Sequence, residues 1–217
     1  MKDRTTDLHI AVDIALQGPH QRVTLCQARR GVRFWLKRVE RFAPHLWLVK
    51  GKPEQAFERD RSSHQFLLKY GAPVPRILAE GKGYIAVEHA GASLTRLSKD
   101  KSVTMAGKLM ACRAAGQALA RLHGMGLAHG RPAFRDMCWD GRQIRFIDFE
   151  YFVATKAGRL RKARDLSIAI LSALSQGSTG PRFAYNVLSA YYAAWDRNPK
   201  ALPVPCPVQV QNGQPRF

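Results

Sequence analysis

The apolar residues of this chain change period along its length, and that change limits the fold more than any other feature. Leu8, Ile10, Val12, Ile14 and Leu16 stand at every second position, the spacing of a half-buried strand. Gln17-Gly18-Pro19-His20 predicts a turn, Val23 to Cys26 a second strand, and Arg29-Arg30-Gly31 another turn. In a third strand Val32, Phe34 and Leu36 share one face; Arg33, Trp35 and Lys37 share the other. From Pro53 the spacing turns helical. Pro53 suits a first helical turn, Phe57, Phe66, Leu67 and Leu68 form the apolar stripe, and Gly71 ends it. Ile77-Leu78 and Tyr84 to Val87, around Gly81-Lys82-Gly83, read as two more strands. The predicted order is three strands, a helix, then two strands. Beyond it, helices are predicted over 105–123, 164–175 and 182–195, with a short apolar strand over 144–147. A proline-rich tail from about 199 predicts an extended or disordered arm.

The chain has 217 residues, enough for one domain or two small lobes, and 46% apolar residues, which excludes wholesale disorder. Lys and Arg number 35 against 16 Asp and Glu, a formal charge of +19. Such a surface favours anionic partners: nucleic acid, anionic lipid headgroups or phosphorylated glycans. Arginine accumulated through genome composition gives the same number without a partner. The Arg residues are spread through all segments rather than interleaved with aromatics on one face, so nucleic acid ranks last. No apolar run reaches transmembrane length, and MKDRTTD lacks the apolar core of a secretory signal. Cys26, Cys112, Cys138 and Cys206 are scattered without a CxxC pair, which disfavours a zinc site or disulfide framework and fits a reducing cytoplasm.

Residues 118–150 carry the chemistry: ALARLHGMGLAHGRPAFRDMCWDGRQIRFIDFE. A polar loop, His129 to Asp136, is followed by a short apolar strand and then Ile147-Asp148-Phe149-Glu150. This stretch resembles the catalytic core of the protein-kinase-like fold in its compact bacterial form. It is similar to the lipopolysaccharide-core sugar kinases of the Kdo type, the RIO kinases and the aminoglycoside phosphotransferases, which carry an HGDLxxxN loop and an IDF-type metal motif. The layout agrees over residues 32–175 and is sharp over 118–150. The resemblance implies an α+β, two-lobed fold. Residues 1–90 would form a β-rich N-lobe with one helix, and 91–217 a small helical C-lobe holding the loop 129–136 and the metal motif 147–150. ATP and Mg²⁺ would occupy the interlobe cleft.

Residue by residue, the resemblance implies that Asp148 and Asp136 hold Mg²⁺. Asp136 stands where relatives have Asn, and a carboxylate there serves as a hard-oxygen ligand. Lys37, at the end of VRFWLK, resembles the lysine that binds the inner phosphates. Its acidic partner is expected at Asp60, with Glu58 as runner-up; Lys50 is a rival for Lys37. Glu88, in Glu88-His89-Ala90-Gly91, resembles the hinge, or else is a solvated charge. His129 reads as a buried histidine bracing the loop. Asp165 reads either as the acid that anchors the loop from below or as a helix cap.

Three departures stand out. Gly18 with Pro19 and His20 is enough for a turn but is no phosphate-cradling glycine loop. Trp35 stands where a small residue is usual. Arg131 occupies the position of the catalytic Asp. A guanidinium stays protonated, so it cannot accept a hydroxyl proton. It could stabilise transferring phosphate instead, with Asp136 or Glu150 accepting the proton, or with little need of a base. The implied function is ATP-dependent phosphotransfer to a hydroxyl of an anionic envelope glycan or lipid such as lipopolysaccharide core. Its place would be the cytoplasm, at the inner face of the inner membrane. The alternative is a pseudokinase acting as a nucleotide-binding or regulatory module.

Overall fold

The structure is a computed structural model that describes residues 2–41 and 52–196. Lys50, Cys206 and the tail from 199 lie outside the described residues. The fold is mixed α+β with two antiparallel sheets. The elements are α1 (Lys2–Gln17), β1 (Val23–Gln27), β2 (Arg33–Arg38), α2 (Pro53–Lys69), β3 (Ile77–Gly81), β4 (Tyr84–Glu88) and β5 (Ala92–Ser93). After them come α3 (Leu94–Lys99), α4 (Met105–Gly124), β6 (Met137–Trp139), β7 (Ile144–Phe146), α5 (Arg159–Leu174) and α6 (Gly180–Asp196). Two compact units result: Met1–Leu68 with Pro75–His89, and Lys69–Val74 with Ala90–Phe217.

The first unit corrects the opening of the predicted order. Residues 8–16 are not a strand but the body of α1. Leu8, Val12 and Leu16 satisfy the i, i+4 spacing as well as the period of two, and Ala11 and Ala15 complete a helical stripe. That stripe packs on Phe34, Leu36, Ala79 and Ala86 of the sheet. Ile10 and Ile14, which the strand reading placed on the same buried face, are 49% and 64% exposed. Arg38 ends the helix. No basic residue of α1 itself lies in its last turn, and the buried Arg38 guanidinium of β2 donates to the carbonyls of Ala15 and Leu16.

The sheet runs in the order β1-β2-β4-β3, all antiparallel. Phe34 and Leu36 of β2 are fully buried on the α1 side, as the alternation predicts, while Val32 lies before the strand and is 44% exposed. Each buried side chain of this size stabilises by about 1.5–3 kcal/mol. Trp35 and Lys37 point to the other face, where β4 adds Ile85 and Val87 in register with them. Asp60 of α2 reaches Lys37 on that face, so the two helices lie on opposite sides of the sheet. Buried His64, one turn beyond Asp60, donates from Nε2 to the Pro75 carbonyl at 2.7 Å.

In the second unit α4 and α6 are the central pair. Gly116 sets their approach, because a Cβ there would strike the Val187 carbonyl. Thr104 caps α4 by accepting from Gly107 N–H at 3.2 Å, and Ser93 caps α3 by accepting from Arg96 N–H. The three-stranded sheet β5-β6-β7 is short, and only β7 stands out in the sequence, as the apolar run over 144–147. Its function is positional: the polar loop precedes β6, and Asp148 follows β7 by two residues. No helix of the described residues is long and apolar enough to cross a membrane.

Candidate functional site: a braced loop and two carboxylates

The loop from His129 to Asp136 is held from beneath by one carboxylate. Asp165 is completely buried, and its two oxygens accept the backbone N–H groups of His129 at 2.6 Å and Gly130 at 2.9 Å. It lies well inside α5, so the capping alternative is excluded and the anchoring one holds. His123 donates to Asp165 from Nε2 at 3.3 Å and accepts the Tyr191 hydroxyl on Nδ1 at 2.8 Å. Burial lowers the His123 pKa and pushes the Tyr191 hydroxyl up to about 12, so a neutral imidazole and a protonated phenol persist at neutral pH.

His129 is buried among Phe146 and Phe149, with both ring centroids 5.4 Å away. Nε2 donates to the Ile147 carbonyl at 3.0 Å, which leaves Nδ1 to accept the Arg131 N–H at 3.4 Å. Burial depresses its pKa. The ring is therefore a neutral brace joining the loop to the strand exit, not a base. Gly130 has φ +99, and a Cβ there would run into the Tyr151 carbonyl, so glycine is required on both counts.

Asp148 follows directly. Among the described residues it is the only non-glycine with positive φ, at 66°, a conformation that Asp tolerates better than most residues. Its Oδ2 lies 3.6 Å from Nη2 of Arg131. The Arg131 guanidinium also covers the Tyr151 ring at 4.9 Å, and its Nε has no hydrogen-bond partner. Asp136 is 4% exposed; Oδ1 is 3.5 Å from Arg135 Nε, and Oδ2 is buried without a hydrogen-bond partner. Burial first, and then the charge of Asp148, raises the Asp136 pKa to about 6. The charge of Asp148 works against that of Asp136, and one buried Asp136 oxygen lacks a donor. A divalent cation fits that donor set. Among the described residues no third His, Cys, Asp or Glu joins them, and Mg²⁺ is commonly held by one or two carboxylates together with substrate phosphates.

The raised pKa has a testable sign. The folded state holds the Asp136 proton more tightly than the unfolded chain does. Asp136 therefore lowers stability as pH rises from about 4 through about 6, and the full cost remains above that. Asp136→Asn is expected to stabilise the protein by about 1–3 kcal/mol at pH 7.5, a gain that vanishes near pH 4. Urea denaturation at the two pH values measures it; no gain at pH 7.5 contradicts the electrostatic account.

In the first unit Lys37 Nζ meets Asp60 Oδ2 at 3.0 Å, with both side chains about a quarter exposed or less. Glu58, the runner-up, is taken by Arg61 at 2.6 Å. Glu88 accepts Arg76 Nε at 2.6 Å. Trp35 stacks on His89 with ring centroids 6.1 Å apart. Glu150 is exposed. Sequence reasoning missed His123, Tyr151 and Tyr191. Their only signal was their type: a histidine at a helix end, an aromatic beside a charged loop and an aromatic within α6.

No family model matches the chain. It is 31% identical over 120 residues to an uncharacterized protein of Haemophilus influenzae, a match covering 55% of this chain and 50% of that protein. The chain thus spans about half the length of the curated relative it matches.

Proposed function

We propose that the chain has a two-lobed, protein-kinase-like fold and is an ATP- and Mg²⁺-dependent phosphotransferase acting on a hydroxyl. The observation that carries this reading is the carboxylate pair: Asp136, with a buried oxygen lacking a hydrogen-bond partner, in the field of Asp148, on a loop pinned by Asp165. Phosphoryl transfer asks of a protein mainly positioning and charge neutralisation. Asp136 and Asp148 would hold the metal, which neutralises phosphate charge when bound. Lys37 would take the inner phosphates, kept in place by Asp60. Arg131 would neutralise charge on the transferring group, a reaction with little need of a base, and of the two candidate acceptors Glu150 is exposed while Asp136 would be engaged by the metal. The charge of +19 supports an anionic acceptor, an envelope glycan or lipid such as lipopolysaccharide core, at the cytoplasmic face of the inner membrane.

A second reading rests on a specific contact. Arg131 already neutralises Asp148 at 3.6 Å, as expected of a catalytically impaired module that binds nucleotide and regulates. Calorimetric titration with ATP tests what both readings share. Binding is expected with Mg²⁺ and not with EDTA, and Lys37→Ala should weaken it. Equal binding with and without Mg²⁺ overturns both.

A further inference from the structure

We propose that the segment from Tyr151 through Arg164 is a docking surface for an anionic lipid bilayer. This names the surface by which the membrane placement proposed above would be achieved; it rests on that placement but not on phosphotransfer. Residues 151–164 contain five cations, Lys156, Arg159, Arg161, Lys162 and Arg164, and no Asp or Glu. Among the described residues none of the five meets a carboxylate: Arg161 donates to the Thr155 hydroxyl, and Lys162 lies over the Trp195 ring. Lys156, Arg159 and Arg164 are exposed.

This distribution works against the stability of α5. The positive end of a helix favours acids and a capping side chain. The first turn of α5 has no acid, its cap is Gly158 with no side-chain hydrogen bond, and four cations crowd its first two turns. Such an arrangement suits an external anionic surface better than it suits the helix.

The apolar residues narrow the partner. Leu160 stands between Arg159 and Arg161 at 86% exposure, more than any other large hydrophobic in the described residues, and Val153 is 48% exposed. The segment is held, not loose. Phe152 and Ala157 are buried, and the Ala157 N–H donates to the Gly126 carbonyl at 2.7 Å. A fixed leucine among cations matches an interfacial anchor, in which the apolar side chain enters the headgroup region while Lys and Arg meet anionic lipid. A nucleic-acid surface would instead present aromatic rings for stacking. Leu160 and Val153 have none, and the one exposed ring of the segment, Tyr151, has a face taken by Arg131.

The test is co-sedimentation of the full chain with vesicles of phosphatidylcholine alone, or of phosphatidylcholine with phosphatidylglycerol, and in parallel titration of a single-stranded RNA. Binding is expected to the anionic vesicles only, weakening with salt. Replacing Lys156, Arg159 and Arg164 together with Gln should reduce partitioning by about a hundredfold. Leu160→Ser should reduce it by roughly tenfold. Ile14→Ser, an equivalent exposed position on the first unit, should leave it unchanged. All these positions are exposed, so the variants should fold, and circular dichroism checks that. The proposal is overturned if the wild type ignores anionic vesicles, if the variants partition like wild type, or if RNA binds as tightly and Leu160→Ser changes neither ligand.

Discussion

Removing the Arg131 guanidinium is expected to lower ATP turnover by roughly 10³-fold, the scale of losing an arginine finger. The side chain stands where relatives of the resembled family carry an acid, and it stays protonated at any working pH. Its side-chain contacts are few: Nη2 lies 3.6 Å from Asp148, Nε has no hydrogen-bond partner, and the plane rests on Tyr151. A cation held this loosely beside a carboxylate can transfer its contact to an incoming phosphate. Arg131→Ala should then lower kcat far more than it raises the KM for ATP, because the contact is made to charge that develops in the transition state. Arg131→Asp restores the usual family residue and should retain nucleotide binding. If the wild type shows no turnover and Arg131→Asp alone creates it, the chain is a pseudokinase. If Arg131→Ala is fully active, the arginine is structural and does not stabilise the transferring phosphate.

Asp165→Ala should be the most damaging substitution for stability, at about 3–5 kcal/mol. The Ala side chain leaves two loop N–H groups and the His123 Nε2–H without their acceptor in a site that excludes water. Total stabilities of about 5–15 kcal/mol are usual, so such a loss brings a protein of this kind near unfolding. Asp165→Asn keeps one acceptor oxygen and should lose less. Urea denaturation gives the totals. Hydrogen exchange at the amides of His129 and Gly130 separates a local from a global effect: both should lose protection first in Asp165→Asn. An Asp165→Ala protein as stable as wild type contradicts the anchoring role.

What the sequence makes legible follows from which residues admit one physical reading. Phe34 and Leu36 could only be the buried face of a strand, and they are fully buried. Leu8, Val12 and Leu16 admit two, because positions four apart belong to both periods. The exposed Ile10 and Ile14 decide for the helix only once the sheet is in place. Strands β5 and β6, of two and three residues, are too short to show any period. In the first unit, the ion pair of Lys37 with Asp60 was a choice between two acids, settled because Glu58 closes on Arg61 within its own helix. The anchoring by Asp165 is one of two readings that the resemblance leaves open, and only the contact across 35 residues of sequence decides between them. The approach of Arg131 to Asp148 follows from a cation placed on the loop beside the carboxylates, whereas its contact with the Tyr151 ring has no signal in the sequence.

The central claim is that Asp136 and Asp148 form a cation site serving a nucleotide. Titration of the wild type and of Asp148→Asn with ATP in the presence of Mg²⁺, by calorimetry at pH 7.5, tests it most directly. Asn at 148 keeps the size and can still accept a hydrogen bond, but it removes the charge that a divalent ion needs. The account predicts saturable binding to the wild type and none to Asp148→Asn at the same concentrations, with both proteins equally folded. Equal affinity in the two proteins, or no binding to the wild type at millimolar nucleotide, would contradict it.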